Sequence, residues 1–310
     1  MKLLFSIISF SYLFSALFMF IGIVVKSQKL QLSAKFLFIV SFIENLIYFF
    51  YRWHKAGHIP VTDAFTSFVF FALCIALFQV ILIKKSKAFI VLFSSLLISF
   101  TLFGLSIAGF SENIEPLIPA LKSNWLAIHV ITSFLAYAAF SINFLIGVYI
   151  LYTSKFKSDY IVGSIFFGAL LSGLFTSIIR YFLSYNILIT GILAFLLAFT
   201  ILIYFHKSTK NVSKDTLIKP VYIGFPLLTT GIITGSIWAK YAWGGYWSWD
   251  PKEIWSLITW IVYLIYIHYN IKGKNIRFLS YLALVGFISI MITYLGVNFI
   301  MPGLHSYASK

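Results

Sequence analysis

Lys84-Lys85-Ser86-Lys87 is followed by AFIVLFSSLLISFTLFGLSIAGF, residues 88–110, a run without a single charged side chain. Wound as an α-helix at 1.5 Å per residue, the run is roughly 35 Å long, enough to cross a ~30 Å hydrocarbon layer. The lysines ahead of it mark a side of the membrane. Similar runs cover approximately 3–25, 35–51, 62–83, 127–153, 159–181, 185–206, 219–238, 253–270 and 277–300, which makes ten spans. The runs are continuously apolar, without the alternation of a transmembrane barrel. They predict an all-α, polytopic transmembrane bundle, read as a single integral-membrane domain over 1–310. The run at 3–25 has no small-residue cleavage site after it and is expected to stay as a span.

Composition agrees. The chain is 61% hydrophobic and 10% charged, whereas soluble domains carry about 25% charged residues. The net charge of +15 suggests nucleic acid in a soluble domain. Here the basic residues sit in short connections, so no nucleic-acid partner is expected. Of 23 Lys and Arg, 15 fall in one alternating set of connections and 8 in the other. The positive-inside rule therefore puts the lysine-rich set in the cytoplasm or stroma and both termini outside. Cys74 stands alone inside an apolar run and offers neither a disulfide nor a cysteine metal site.

The outer connections are aromatic. Tryptophans at membrane interfaces are common, and Trp53 and Trp125 need no further reason. Trp243-Gly244-Gly245-Tyr246-Trp247-Ser248-Trp249-Asp250 is different, with three Trp in seven residues around two Gly. Asp250-Pro251-Lys252-Glu253 reads as a helix start, with Asp as N-cap, Pro at the first position and Glu closing a capping box. Gly244 and Gly245 admit close backbone approach, and Tyr246, Trp247 and Trp249 offer large faces with polar tips. The density suits a planar amphipathic ligand at the interface, and haem is the obvious candidate.

Haem iron takes axial ligands, commonly neutral imidazole. His129, near the outer end of span five, and His305, just beyond span ten, lie at the depth of the loop. Spacing alone leaves both ligand and interfacial readings open. His268 sits toward the cytoplasmic end of span nine among Tyr263, Tyr266 and Tyr269, where an ionisable group suggests function and snorkelling is the alternative. Asn298 reads as a hydrogen-bonding partner for a neighbour. His58, between Gly57 and Pro60, reads equally as a turn residue or a ligand contact.

Residues 243–253, WGGYWSWDPKE, closely resemble the WWD motif of haem-handling membrane proteins. Gly303-Leu304-His305-Ser306-Tyr307-Ala308 is similar to the ending of the CcsA/ResC branch, and Gly57-His58-Ile59-Pro60 and the segment from Trp125 to Val130 also match it. The resemblance implies system II cytochrome c maturation in a bacterial cytoplasmic or thylakoid membrane. The chain would work beside a CcsB/ResB-like protein as one component of a holocytochrome c synthase. It would carry haem b outward and promote its attachment to the CXXCH thiols of apocytochrome c. Within that resemblance His129 and His305 are the outer iron ligands and His268 the transmembrane one. Trp243, Gly244, Tyr246, Trp247, Trp249 and Asp250 form the haem-contacting loop, and no residue of this chain is expected to act as catalytic acid or base.

Two departures stand out. Residues 158–206 supply a pair of spans without a counterpart in the family pattern, and Thr66 replaces a Glu found in many members. The chain also lacks a CcsB-like portion, so a separate partner is expected. Two other classes compete with this reading. One is a CcmC-like haem exporter without ligation activity, and the other is a transporter that binds no haem.

Overall fold

The computed structural model describes residues 2–84, 86–108, 110, 112–114, 116–117, 119–182, 187–204, 206, 212–273, 275–299 and 301. Those residues form helices and connections, with no strand among them. In chain order the helices are α1 (Lys2–Val24), α2 (Gln28–Ala56), α3 (Ala64–Leu82), α4 (Ala88–Ala108), α5 (Asn124–Tyr152), α6 (Lys157–Phe182), α7 (Ile187–Tyr204), α8 (Lys214–Trp243), α9 (Pro251–Lys272) and α10 (Ile276–Met291). A π-helical turn, Ile292–Gly296, and a last turn, Val297–Phe299, prolong α10. Among the described residues, nine helices are long and apolar enough to cross a bilayer, and α7 contributes the shorter apolar stretch Thr190–Ile203. The protein is thus a multi-pass, all-helical membrane protein.

Each predicted run coincides with a helix, but several helices are longer than their runs. The run at 35–51 lies inside Gln28–Ala56, and 219–238 lies inside Lys214–Trp243. The reason is physical. A run measures the apolar side chains that face lipid tails, whereas the backbone ladder continues through the interfacial layer until something caps it. For α8 the caps are Ser213, whose hydroxyl accepts from the Thr216 N–H, and Gly244, whose positive φ of 83° turns the chain out.

The backbone divides into two compact units that interleave along the sequence, with α2, α3 and α5 contributing to both. The first comprises residues 1–52, 72–110 and 148–211. Within it α1 packs on α4, α4 on α6, and α6 on α7. Phe89 stacks on Tyr149 at 3.6 Å, and Phe93 meets Phe167 edge-on at 4.3 Å. The Lys35 ammonium donates to the carbonyls of Ile83 and Ser86 at 3.0 and 3.2 Å, satisfying the end of α3. The described residues of the span pair at 158–206 belong wholly to this unit.

The second unit comprises residues 53–71, 111–147 and 212–310. Its core is aromatic, with Phe140 stacked on Tyr263 at 3.5 Å and Phe144 on Phe287 at 4.1 Å. Each such pair contributes about 0.5–1.5 kcal/mol beyond the area it buries. The opening of α3 is capped by Asp63, whose carboxylate accepts from the Thr66 N–H at 2.8 Å and the Thr66 hydroxyl at 2.6 Å.

Candidate functional site

All that follows lies in the second unit. The loop from Trp243 to Asp250 leaves α8 through the left-handed Gly244 and enters α9 through a complete capping box. The Asp250 carboxylate accepts from the Lys252 N–H at 2.9 Å, and the Glu253 carboxylate accepts from the Asp250 N–H at 3.3 Å. Glu253 does more than start the helix. It also accepts from the Ser248 N–H at 2.7 Å and from the Ser248 hydroxyl at 3.2 Å. That hold matters because Trp249 has φ 60°. A bulky side chain there costs roughly 1–2 kcal/mol and persists only when its surroundings impose it.

The rings of Trp247 and Trp249 meet edge-on at 5.9 Å, and Trp243 packs against Trp238 at 4.7 Å. The Lys240 ammonium donates to the Gly244 carbonyl at 2.8 Å and lies 5.7 Å from the Tyr246 ring centre. Tyr246 and Trp249 are exposed by 58% and 67%. The indole N–H of Trp247, by contrast, is buried and has no hydrogen-bond partner among the described residues.

Beneath the loop lies an open cleft lined by His129, Tyr246, Trp247, Lys252, Glu253 and Thr293, among others. A second is lined by Asp63, Ser67, His129, Lys252, Tyr294 and Asn298, among others. His129, Ser133, Tyr137 and Lys252 line both, so they form a shared wall.

The orientation of His129 is set by α8. Its Nδ1–H donates to the Gly231 carbonyl at 2.6 Å. A carbonyl can only accept, so the proton sits on Nδ1 and Nε2 keeps its lone pair. This is the arrangement by which a backbone carbonyl orients a metal-ligating imidazole. The approach requires glycine. A methyl at Gly235 would lie 2.5 Å from His129 Nδ1, and one at Gly231 would lie 2.5 Å from the Ser133 hydroxyl. Small residues spaced by four bring membrane helices together in this way.

Of the residues singled out from sequence, His129, Tyr246 and Trp247 line the cleft, while Trp243, Gly244, Trp249 and Asp250 shape the loop that covers it. His268 is elsewhere. It is exposed on α9, its Nδ1–H donating to the Leu264 carbonyl at 2.9 Å, roughly 27 Å along the helix from Asp250. It shares its exposed stripe with Ile254, Ile261 and Ile265. His305 lies outside the described residues. His58 donates Nδ1–H to the neighbouring Ile59 carbonyl at 3.2 Å, and its buried Nε2 has no partner among the described residues.

Asn298 is legible as a hydrogen-bonding group, whereas its partner Lys252 and the contacts of Tyr294 and Thr293 carry little signal in the sequence. Asn298 accepts from the Lys252 ammonium at 2.7 Å, tying the end of the tenth span to the start of the ninth. The Tyr294 hydroxyl bonds Ser67 at 2.8 Å. Thr293 and Tyr294 stand in the π-helical turn, a feature often found at functional sites. A periodicity argument that assumes 3.6 residues per turn does not foresee such a turn.

The family model described as cytochrome C assembly protein matches residues 61–305. Among curated proteins, the cytochrome c biogenesis protein CcsA of Cyanophora paradoxa is 36% identical over 270 residues, covering 83% of this chain and 81% of its own length. CcsA of Microcystis aeruginosa is likewise 36% identical, over 266 residues. CcsA of Heterosigma akashiwo is 34% identical over 313 residues, covering 94% of this chain and 89% of its own.

Proposed function

Because this chain belongs to the cytochrome c assembly protein family, we propose that the cleft beneath the Trp247 loop receives haem b for attachment to apocytochrome c. Haem is the cargo here, not a resident cofactor. The observation that carries the reading is the His129 ring, held through Nδ1 by Gly231 with its Nε2 lone pair left for a metal. Trp247 and Tyr246 supply the apolar, partly polar wall that a porphyrin face requires.

His129 gives one axial ligand and His305 the second. His268, exposed on a stripe of α9, shares iron with a histidine of a CcsB/ResB-like partner at the cytoplasmic end. The 15 to 8 asymmetry of basic residues orients the loop and both termini outward, in a bacterial cytoplasmic or a thylakoid membrane. At the outer site the chain orients and shields. Each thiol of the apocytochrome adds across a vinyl group, sulfur to one carbon and proton to the other, so no acid or base from this chain is consumed. Presentation and orientation of the reactants supply the acceleration.

The test is a spectrum. The full chain co-expressed with its partner is expected to purify with a Soret band. His129→Gly is expected to lose most of the outer haem and to regain it with added imidazole. An unchanged haem content and cytochrome c yield in His129→Gly, His305→Ala and His268→Ala would remove the ligand assignments. Normal haem export without thioether formation in the wild type would favour the exporter reading.

A further inference from the structure

We propose that Lys252, held by Asn298 and joined by the indole N–H of Trp247, forms a seat for a carboxylate of the molecule that occupies the cleft beside His129. The identity of that molecule rests on the haem reading above, and the seat then takes a propionate side chain.

The case begins with what the ammonium already does. Lys252 Nζ carries three protons, and one goes to the neutral Oδ1 of Asn298 at 2.7 Å. The side chain lines both clefts. An ammonium facing an apolar wall at the membrane boundary is costly without an anion. The carboxylates nearby have other duties. Glu253 is taken by the Ser248 and Asp250 N–H groups and the Ser248 hydroxyl. Asp63, in the second cleft, is taken by the backbone and hydroxyl of Thr66. The Asp250 carboxylate caps the backbone of α9. The lysine therefore keeps donors for an incoming anion.

The second observation is independent. The Nε1–H of Trp247 is buried without a partner, in a side chain that lines the same cleft as Lys252. Leaving such a donor unpaired costs about 1–3 kcal/mol, and an acceptor on the occupant removes that cost. A lone ammonium could serve as a tie between α9 and the last turn of the tenth span. A lone indole could serve as an apolar wall. Both donors lining one cleft with a histidine lone pair call for a ligand that offers a metal and an anionic oxygen together.

The full chain in nanodiscs is titrated, by porphyrin fluorescence, with iron-free protoporphyrin IX and with its dimethyl ester. Neither probe has iron, so His129 ligation does not enter. The wild type is expected to bind the free acid about ten- to a hundredfold tighter than the ester, as one or two charge-assisted bonds imply. Lys252→Met is expected to collapse that ratio towards one while leaving the ester's affinity in place, and Lys252→Arg to retain most of it. Trp247→Phe, which keeps a ring and removes the N–H, is expected to lower the ratio several-fold with Lys252 intact. Equal binding of acid and ester by the wild type, or an unchanged ratio in Lys252→Met, overturns the seat alone. Failure of the wild type to bind either porphyrin overturns the reading of the cleft and the seat with it.

Discussion

Replacing Glu253 tests whether the Trp247 loop is held from below. Its carboxylate accepts from the Ser248 N–H at 2.7 Å and from the Asp250 N–H at 3.3 Å. Each hydrogen bond to a charged acceptor is worth about 1.5–3 kcal/mol when its loss leaves a buried donor bare. Ser248 is exposed and rehydrates, and the bond to the buried Asp250 N–H is long at 3.3 Å, so the low end applies to each. Glu253→Ala should therefore weaken the closed loop by about 3 kcal/mol, which is about a hundredfold in the open fraction. The left-handed Trp249 adds its own tendency to relax once the hold is gone. Glu253→Gln is the control. Its amide oxygen can take the place of Oε2, which receives both backbone donors, so the loss should be about 1 kcal/mol. Hydrogen exchange read on peptides spanning residues 244–252 measures the difference. About a hundredfold faster exchange at Ser248 and Asp250 is expected for Ala and less than tenfold for Gln, with the interior of α9 unchanged. Equal protection in Glu253→Ala and the wild type refutes the argument, and so does equal damage from Gln and Ala.

Gly235→Ala places a methyl 2.5 Å from His129 Nδ1. It is expected to cost about 1–3 kcal/mol in thermal stability and to lower the outer haem content that depends on the aim of this ring. Tyr263→Phe removes a fully buried hydroxyl that has no partner among the described residues. A melt in detergent is therefore expected to show no loss and up to about 1 kcal/mol of gain. Asn298→Leu removes the acceptor of the Lys252 bond and is expected to destabilise by about 1–3 kcal/mol. Double-mutant analysis with Lys252→Met should show the two losses to be non-additive.

Reading the sequence succeeds where the controlling physics is local. Apolar length dictates the helices because lipid forbids unpaired backbone groups. The start of α9 is visible in Asp250, Pro251 and Glu253 because a capping box is a contact between residues three apart. The Asn298 expectation is met in kind, although only the fold supplies Lys252 as the neighbour. The His129 to Gly231 bond was not legible, because the two residues are 102 positions apart and any carbonyl of α8 could have served. A faint trace existed in the glycines at 231 and 235, whose spacing marks a close helix contact without naming what approaches. Likewise the hold of Glu253 on Ser248 depends on how the loop folds back, which composition does not encode.

The long reach from His129 to Gly231 also orders events in time. Ribosomes extend a chain by about 5–20 residues per second, so the carbonyl that aims the imidazole is made roughly 5–20 s after the imidazole itself. Until α8 is inserted, the ring is free to take either tautomer and to face lipid, water or any stray metal. The site is consequently completed late in biogenesis, and a chain truncated before residue 231 would carry the histidine without the means to aim it.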